Sequence, residues 1–349
     1  MVKARDTSAS CALLTVLASA VGTARGTLLR QSRFKSCHPE CSLTLSGSRE
    51  RGSIVQNFIP RLEVATLQPP QTRLIPKLGG LPWGFPAAMW PSCRECSVPM
   101  ALLAQLPHHH PALDFGDSRW VLHLFQCTTA GCSTWSYDEG CNAAFILPRE
   151  ALGQGLTRPP QVVSDRPVYV WVTGSMPVVH SMHGELWIAG WKEHEDAIPQ
   201  HMSSAYFDPR AFGALPEEFQ FPHNFRDPRT KAGGVPYWTA NGPWGLPQIP
   251  SRPFDYLMQI DTFLSIPGRL PDPSVIGCDV YVHDANGRME RRPVPDAAKR
   301  ENAPWSAMQE PDRDNEYCVE FANFGSDGTA YVFIDRQTTP PRAVFFWNR

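Results

Sequence analysis

Lys77-Leu78-Gly79-Gly80-Leu81-Pro82-Trp83 reappears 154 residues further on as Lys231-Ala232-Gly233-Gly234-Val235-Pro236-Tyr237. At the same offset Trp90 meets Trp244, Pro99 meets Pro253, Leu103 meets Leu257 and Gln105 meets Gln259, while Leu106 faces Ile260. Matches at glycine, proline and tryptophan, which fix backbone geometry and core volume, mark an internal duplication. A duplication sets the architecture before any single element does. A second block follows, in which Glu139-Gly140 before Phe145-Ile146 parallels Asp327-Gly328 before Phe333-Ile334. Here the offset has grown from 154 to 188, so the second copy carries 34 extra residues between the blocks. The charged, proline-rich stretch from Arg288 to Asp314 has the composition of a long surface loop and is expected to hold much of that surplus.

The 349 residues exceed the roughly 250–300 that one hydrophobic core normally serves. The sequence therefore divides into an extension over 1–52, a first lobe over 53–165 and a second over 166–349. Prolines number 35, about twice the usual share, which argues against long helices, coiled coils and helical solenoids. Trp120–Cys127, Val168–Thr173, Val275–His283, Tyr317–Phe324, Thr329–Asp335 and Ala343–Trp347 are short, β-branched or aromatic, and bounded by turn formers. Asp284-Ala285-Asn286-Gly287 reads as a hairpin turn, and Pro148–Leu152 and Pro209–Phe212 as single helical turns. The expected fold is mainly β (α+β is the neighbouring class): an internally duplicated, pseudo-symmetric two-lobe body with a zinc-ribbon-like insertion in the first lobe.

Within each copy the paired glycines permit positive φ and close backbone approach, and the proline fixes the next turn. The element is thus a sharp corner that feeds an aromatic into the core. A phosphate cradle would need a helix to follow, which Pro82, Pro86 and Pro236 oppose. Gln105 and Gln259 end equivalent apolar runs. They are read first as partners for a corner's backbone groups and second as polar residues lining a cleft near the pseudo-axis.

Residues 1–52 hold eight basic and three acidic side chains, leaving 24 basic against 31 acidic, or −7, for the remainder. An acidic body repels phosphate backbones, so nucleic acid is not an expected partner. Cys11–Val21, an apolar run of 11 residues behind Lys3 and Arg5, resembles a weak signal peptide ending at Ala18-Ser19-Ala20. It is too short to cross a bilayer, and no other segment comes closer, so no membrane span is expected. The Arg- and Ser-rich, acid-poor stretch that follows equally suits an organelle transit peptide or a start codon placed too far upstream, and the plain reading is a disordered or spurious extension. The expected location is cytoplasmic, with export as the alternative if residues 1–20 are a signal.

Four of the ten cysteines have metal-site spacing: Cys93-Arg94-Glu95-Cys96, thirty residues, then Cys127 and Cys132. Two such knuckles suit tetrahedral zinc of the ribbon type. Four protein ligands would leave no open coordination position, which makes the role structural. Cys141 is an alternative to Cys132 as fourth ligand, and disulfides or unrelated buried thiols are the competing readings. In the second copy Pro247 and Pro250 replace Cys93 and Cys96, so no site is expected there. Cys37 and Cys41 have no partner pair nearby.

No Gly-x-Ser-x-Gly elbow, HExxH motif, Walker loop or Rossmann fingerprint occurs. His108-His109-His110 lies between prolines and reads as a solvated loop. His180, His183, His194 and Asp261 are the candidates for acid–base chemistry, and the run Lys192–Asp196 reads first as an exposed turn. Trp83, Trp90, Trp238 and Trp244 gather around the repeated corners, either as core or, with Gln105 and Gln259, as an aromatic groove between the lobes.

Pro76–Pro82, Trp90-Pro91, Pro99–Gln105, Leu257–Asp261 and Phe324–Gly328, taken in order, resemble the bacterial YwqG-like family over roughly residues 70–349. That family is similar to the domain of programmed cell death protein 2 and of the yeast ribosome-assembly factor Tsr-four, where a Cys-x2-Cys pair and a later cysteine pair follow the corner. The resemblance implies a duplicated β-rich fold with a cleft, a zinc-type motif at Cys93, Cys96, Cys127 and Cys132, and a role in binding protein clients. Chaperone-like and toxin-neutralising roles are both implied, and no catalytic residue is. The expected function is non-enzymatic binding of a protein or peptide in a groove between the lobes. The alternative is a hydrolase-type enzyme in the same cleft.

Overall fold

The computed structural model describes residues 53–129, 132, 140–161, 182–220, 230–238, 243, 254–309, 315–324 and 328–348. Residues 51–349 form one compact unit. The first copy supplies strands β1 (Ile54–Val64), β2 (Lys77–Leu78), β3 (Ala101–Pro107), β4 (Trp120–Gln126) and β5 (Asn142–Pro148). The second supplies β6 (Leu186–Pro199), β7 (Lys231–Gly233) and β8 (Asp255–Asp261). After an inserted run of β9 (Phe263–Pro267), β10 (Asp279–His283), β11 (Met289–Arg292), β12 (Ser306–Gln309) and β13 (Glu316–Glu320), it ends with β14 (Thr329–Asp335) and β15 (Arg342–Asn348). The expected mainly β, duplicated architecture is present. The helices α1 (Pro209–Gly213), α2 (Glu217–Gln220) and α3 (Pro273–Ile276) have at most five residues each. Asp208 caps α1 by accepting from the Arg210 and Ala211 amides, and Pro209 opens it.

Among the described residues ten strands form one sheet in the order β15-β14-β8-β7-β1-β6-β2-β3-β4-β5; the expected strand Val168–Thr173 lies outside them. Read outward from the β1/β6 centre, it presents β7-β8-β14-β15 on one side and β2-β3-β4-β5 on the other. The first strands of the copies are exchanged: β1 lies against β7 of the second copy, and β6 against β2 of the first. The outermost strands β5 and β15 approach each other, with Asn142 Nδ2 donating to the Phe345 carbonyl at 3.0 Å. The sheet is therefore nearly closed, and each edge strand screens the other.

The registers of the two halves coincide. Lys77 faces Gln105 and Lys231 faces Gln259; Gln105 in turn faces His123, and Gln259 faces Tyr331. This pairing makes β14 the counterpart of β4 and corrects the second repeat block. Phe333-Ile334 lies on β14, whereas Phe145-Ile146 lies on β5, one strand further out. It also corrects the stretch from Arg288 to Asp314. Its residues 289–292 and 306–309 are β11 and β12 of a five-stranded second sheet, β11-β10-β12-β13-β9, inserted between β8 and β14; residues 293–305 connect them as irregular chain with one short turn, and 310–314 lie outside the described residues. The expected turn at Asp284–Gly287 closes the β10/β11 hairpin, with the Gly287 amide bonded to the Asp284 carbonyl at 3.0 Å. The expected strand over Val275–His283 begins only at Asp279, because Asp272 and Pro273 start α3 ahead of it.

Strand β14 shows how the core is divided. Ala330, Val332 and Ile334 enter the main cluster shared by both halves, while Tyr331 and Phe333 enter a second cluster with Tyr206, Phe212, Val235 and Trp238. Alternate residues point to opposite faces, so both faces of this strand are buried. His123 is buried beside Phe85, ring centroids 5.0 Å apart, and desolvation pushes its pKa down to about 3 against an opposing interaction with the Val121 backbone.

Each corner lysine is buried against a carboxylate. Lys77 Nζ donates to Glu185 Oε1 at 2.9 Å and to Gln71 Oε1 at 2.7 Å, and Trp187 Nε1 donates to the same Glu185 oxygen at 2.9 Å. Lys231 is paired with Asp196, which also accepts from the Val235 amide and from Asn57 Nδ2. Burial pushes the Lys77 ammonium below its ordinary pKa, opposed by Glu185. The second glycine of each corner makes room for that carboxylate. A Cβ on Gly80 would overlap Glu185, and one on Gly234 would overlap Asp196; both glycines have positive φ.

Removing one partner of a buried pair strands the other's charge at a cost of about 3–5 kcal/mol. Glu185→Leu should therefore destabilise the protein by about that amount in denaturant unfolding, and adding Lys77→Met should restore most of it. A single-variant effect below about 1 kcal/mol would contradict the assignment.

Candidate metal centre and the groove at the repeat seam

The first knuckle is the turn between the corner and β3. Ser92 and Pro99 bridge across it, the Cys93 amide donates to the Val98 carbonyl at 2.9 Å, and the Ser97 amide donates back to the Cys93 carbonyl at 2.9 Å. Ser97 takes φ of +61° to close this turn. The second knuckle is the β4/β5 connection. The Cys127 amide donates to the Cys141 carbonyl at 2.8 Å, and the Cys132 amide to the Thr129 carbonyl at 3.1 Å. The Arg94 amide bonds the Gly140 carbonyl at 3.0 Å and joins the two turns.

This folding brings together the sulfurs of Cys93, Cys96, Cys127 and Cys132, all within 4.8 Å of one another. Cys93 Sγ lies 3.4 Å from Cys132 Sγ, and Cys96 Sγ lies 3.6 Å from Cys127 Sγ. Tetrahedral coordination with metal–sulfur bonds of about 2.3 Å puts the sulfurs about 3.8 Å apart, so the cluster fits a metal ion. Cys93, Cys127 and Cys132 are buried and Cys96 is partly exposed. Thr129 Oγ1 stands 3.5 Å from Cys96 Sγ, and the Glu95 carboxylate accepts from Cys132 at 3.2 Å. A hydrogen bond with Cys127 pulls the Cys96 thiol far below its ordinary pKa, and the same neighbour pushes the Cys132 thiol far above its own. With a cation among them all four could be held as thiolates.

The fourth member is Cys132. Cys141 meets the knuckle through its backbone carbonyl and lies outside the sulfur cluster. Among the described residues no other group of His, Cys, Asp and Glu side chains converges in this way. Cys37, Cys41, Pro247 and Pro250 lie outside the described residues.

The other expected site residues are placed apart from one another. Gln105 and Gln259 are fully buried, and their Oε1 atoms accept from the Trp83 and Tyr237 amides at 2.7 and 2.8 Å, so each glutamine closes its own corner. Trp90 is core, its Nε1 donating to the Met100 carbonyl at 2.9 Å. Trp238 is core in the second cluster, donating to the Tyr206 carbonyl at 2.8 Å. Trp83 bridges to Leu156, and Trp244 lies outside the described residues. His183 packs between Trp305 and Phe321, His194 meets Asn57 from β6, and Asp261 caps the Phe263 amide at the end of β8. Three different parts of the fold therefore hold them; His180 lies outside the described residues. The run Lys192–Asp196 is strand β6 instead of an exposed turn.

A groove of about 490 Å³ does lie between the copies, lined by other residues. One wall is Pro69–Pro76 of the first copy, the other Trp187–Trp191 of the second, with Glu63 and His109 completing it. Strand β2 pairs with β6 only at Lys77 and Leu78. The Ile188 amide still reaches the Pro76 carbonyl at 3.0 Å, after which the chain before Pro76 diverges. Ala189 is a bulge: the register passes from Leu62 opposite Ile188 to Arg61 opposite Gly190. From Ala189 onward the second edge of β6 has no strand partner among the described residues. Two tryptophans flanking Ala-Gly in a strand-like run, with glycine hinting at a bulge, are the sequence signal that would have found it.

Fold and site thus define a duplicated, strand-exchanged β protein with a four-cysteine centre in its first half. Over 60 residues the chain is 40% identical to human programmed cell death protein 2-like, a match covering 17% of this chain and 16% of that protein. No protein family and no solved structure matches it. Among the described residues no helix is long and apolar enough to cross a membrane.

Replacing Cys93 and Cys96 together by serine should abolish metal binding, read by elemental analysis, and lower stability by several kcal/mol, read as a fall in Tm. An unchanged Tm would contradict a structural metal.

Proposed function

We propose that this chain is a non-enzymatic protein-binding module, chaperone-like or toxin-neutralising, that takes an extended segment of a partner protein into the groove at the repeat seam. The observation that carries the reading is the β6 edge beside Trp187 and Trp191, which has no strand partner among the described residues from Ala189 onward. Main-chain groups on an open edge recruit an extended chain by strand addition, and flanking pockets select its side chains. The resemblance to YwqG-like proteins implies the same reading. The separate placement of His183, His194 and Asp261 weighs against a hydrolase.

The metal in this proposal is zinc, held by Cys93, Cys96, Cys127 and Cys132. Four thiolates at tetrahedral spacing favour it, and with no open position it staples the first half. The partner is a protein, not nucleic acid or membrane, and the place of action is the cytoplasm.

Affinity capture of the full chain from its native cells, with mass spectrometry, tests the reading. One stoichiometric partner is expected. Ala189→Arg, an exposed substitution in the groove, should weaken its binding at least tenfold with the fold unchanged by circular dichroism. Absence of any partner, or undiminished binding by the variant, would overturn the proposal.

A further inference from the structure

The four sulfurs are disposed for a redox-linked release of the metal that keeps the first half cross-linked, and this inference rests on the zinc reading above. Cys93 and Cys132 bring their Sγ atoms to 3.4 Å and Cys96 and Cys127 to 3.6 Å, and both of these contacts run between the knuckles. Within each knuckle the backbone is committed to its own turn, through Cys93 to Val98 and Ser97 in one, and through Cys132 to Thr129 in the other. Cys96 is the partly exposed member, and the other three are buried.

We propose that a peroxide oxidises this centre to two disulfides, Cys96–Cys127 and Cys93–Cys132, with expulsion of the metal. The Cys96 thiolate attacks one peroxide oxygen, breaking the O–O bond to give a sulfenic acid and hydroxide. The Cys127 thiolate then attacks that sulfur and expels a second hydroxide. A second peroxide oxidises the Cys93 and Cys132 pair in the same way. Four thiolates and two hydrogen peroxide molecules thus give two disulfides and four hydroxides, the sulfurs losing the four electrons that the peroxides gain. The metal, its ligands gone, leaves as the aqua ion. Each disulfide joins the turn before β3 to the β4/β5 connection, the segments the metal had joined. The oxidised protein therefore keeps its sheet, in contrast to one stripped of metal while its thiols stay reduced.

The test uses the full-length zinc-loaded protein titrated with hydrogen peroxide. Released zinc is read with a chromogenic chelator, sulfur pairing by non-reducing peptide mapping with tandem mass spectrometry, and the fold by circular dichroism. Tryptic cleavage after Arg94 separates Cys93 from Cys96, and backbone fragmentation between Cys127 and Cys132, which share the tryptic peptide 120–149, shows which of the two each is joined to. The expected result is one zinc released per two peroxides, linkage of Cys93 to Cys132 and of Cys96 to Cys127, and a sheet signal preserved to higher temperature than in the chelator-stripped reduced protein. Linkage within a knuckle, over-oxidation to sulfinic acid, or zinc that stays bound at excess peroxide would overturn the proposal. Purified protein holding no zinc before oxidant would overturn the metal reading and the switch with it. In a Cys127→Ser variant that still binds zinc, only the Cys93–Cys132 link should form; a new Cys96–Cys132 link would contradict the geometry.

Discussion

The buried lysine–carboxylate pair at each corner is the constraint on which the fold depends. Strands β2 and β7 have only two and three residues, too few for ladder hydrogen bonds alone to hold them. Each also carries a lysine whose desolvated ammonium must be neutralised, so the strand docks only where a carboxylate meets it: Lys77 at Glu185, Lys231 at Asp196. In the first half the carboxylate arrives just ahead of β6 of the other copy; in the second it is carried on β6 itself. The Lys-x-Gly-Gly-x-Pro pattern is the local image of this arrangement. Lysine provides the charge, the second glycine clears space for the carboxylate, and the proline turns the chain into the core.

Because the first strands are exchanged, neither copy completes its own half of the sheet, and each repeat borrows its central strand from the other. Beyond the shared frame the halves are finished differently. The first is tied by the cysteine centre between the turn before β3 and the β4/β5 connection. The second is extended by the five-stranded insertion and covered by the Tyr206, Phe212 and Trp238 cluster. The exchange also produces the groove. A two-residue β2 pairs with only Leu186 and Trp187 on the second edge of β6, the rest of that edge has no strand partner among the described residues, and the groove runs between it and Pro69–Pro76.

Features encoded locally were legible in the sequence. The repeat could be read from Lys77–Gln105 and Lys231–Gln259, because glycine, proline and tryptophan at fixed spacing leave few backbone choices. The cysteine centre followed from two pairs of thiols, and β4, β14 and β15 from runs of β-branched and aromatic residues. Pairing between distant strands was not legible. A lysine at a corner does not announce a carboxylate more than a hundred residues away, so the exchange of β1 and β6 had no local signal. The match of Phe145-Ile146 to Phe333-Ile334 failed because two short apolar runs after a glycine look alike on adjacent strands, and only register separates them. Lys192–Asp196 reads as a turn by charge, yet pairing with β1 makes it a strand. The tryptophans at the corners fit either core or groove by their number, and the structure makes Trp90 and Trp238 core, with their indole nitrogens bonded inside it.

The central claim is that strand exchange makes the two copies one cooperative unit, and native-state hydrogen exchange read by mass spectrometry tests it most directly. Amides of β3 and β4 and those of β8 and β14 should share the same opening free energy and lose protection together as denaturant is raised. If one half exchanged through an opening that left the other fully protected, the copies would be separate folding units and the account would be wrong.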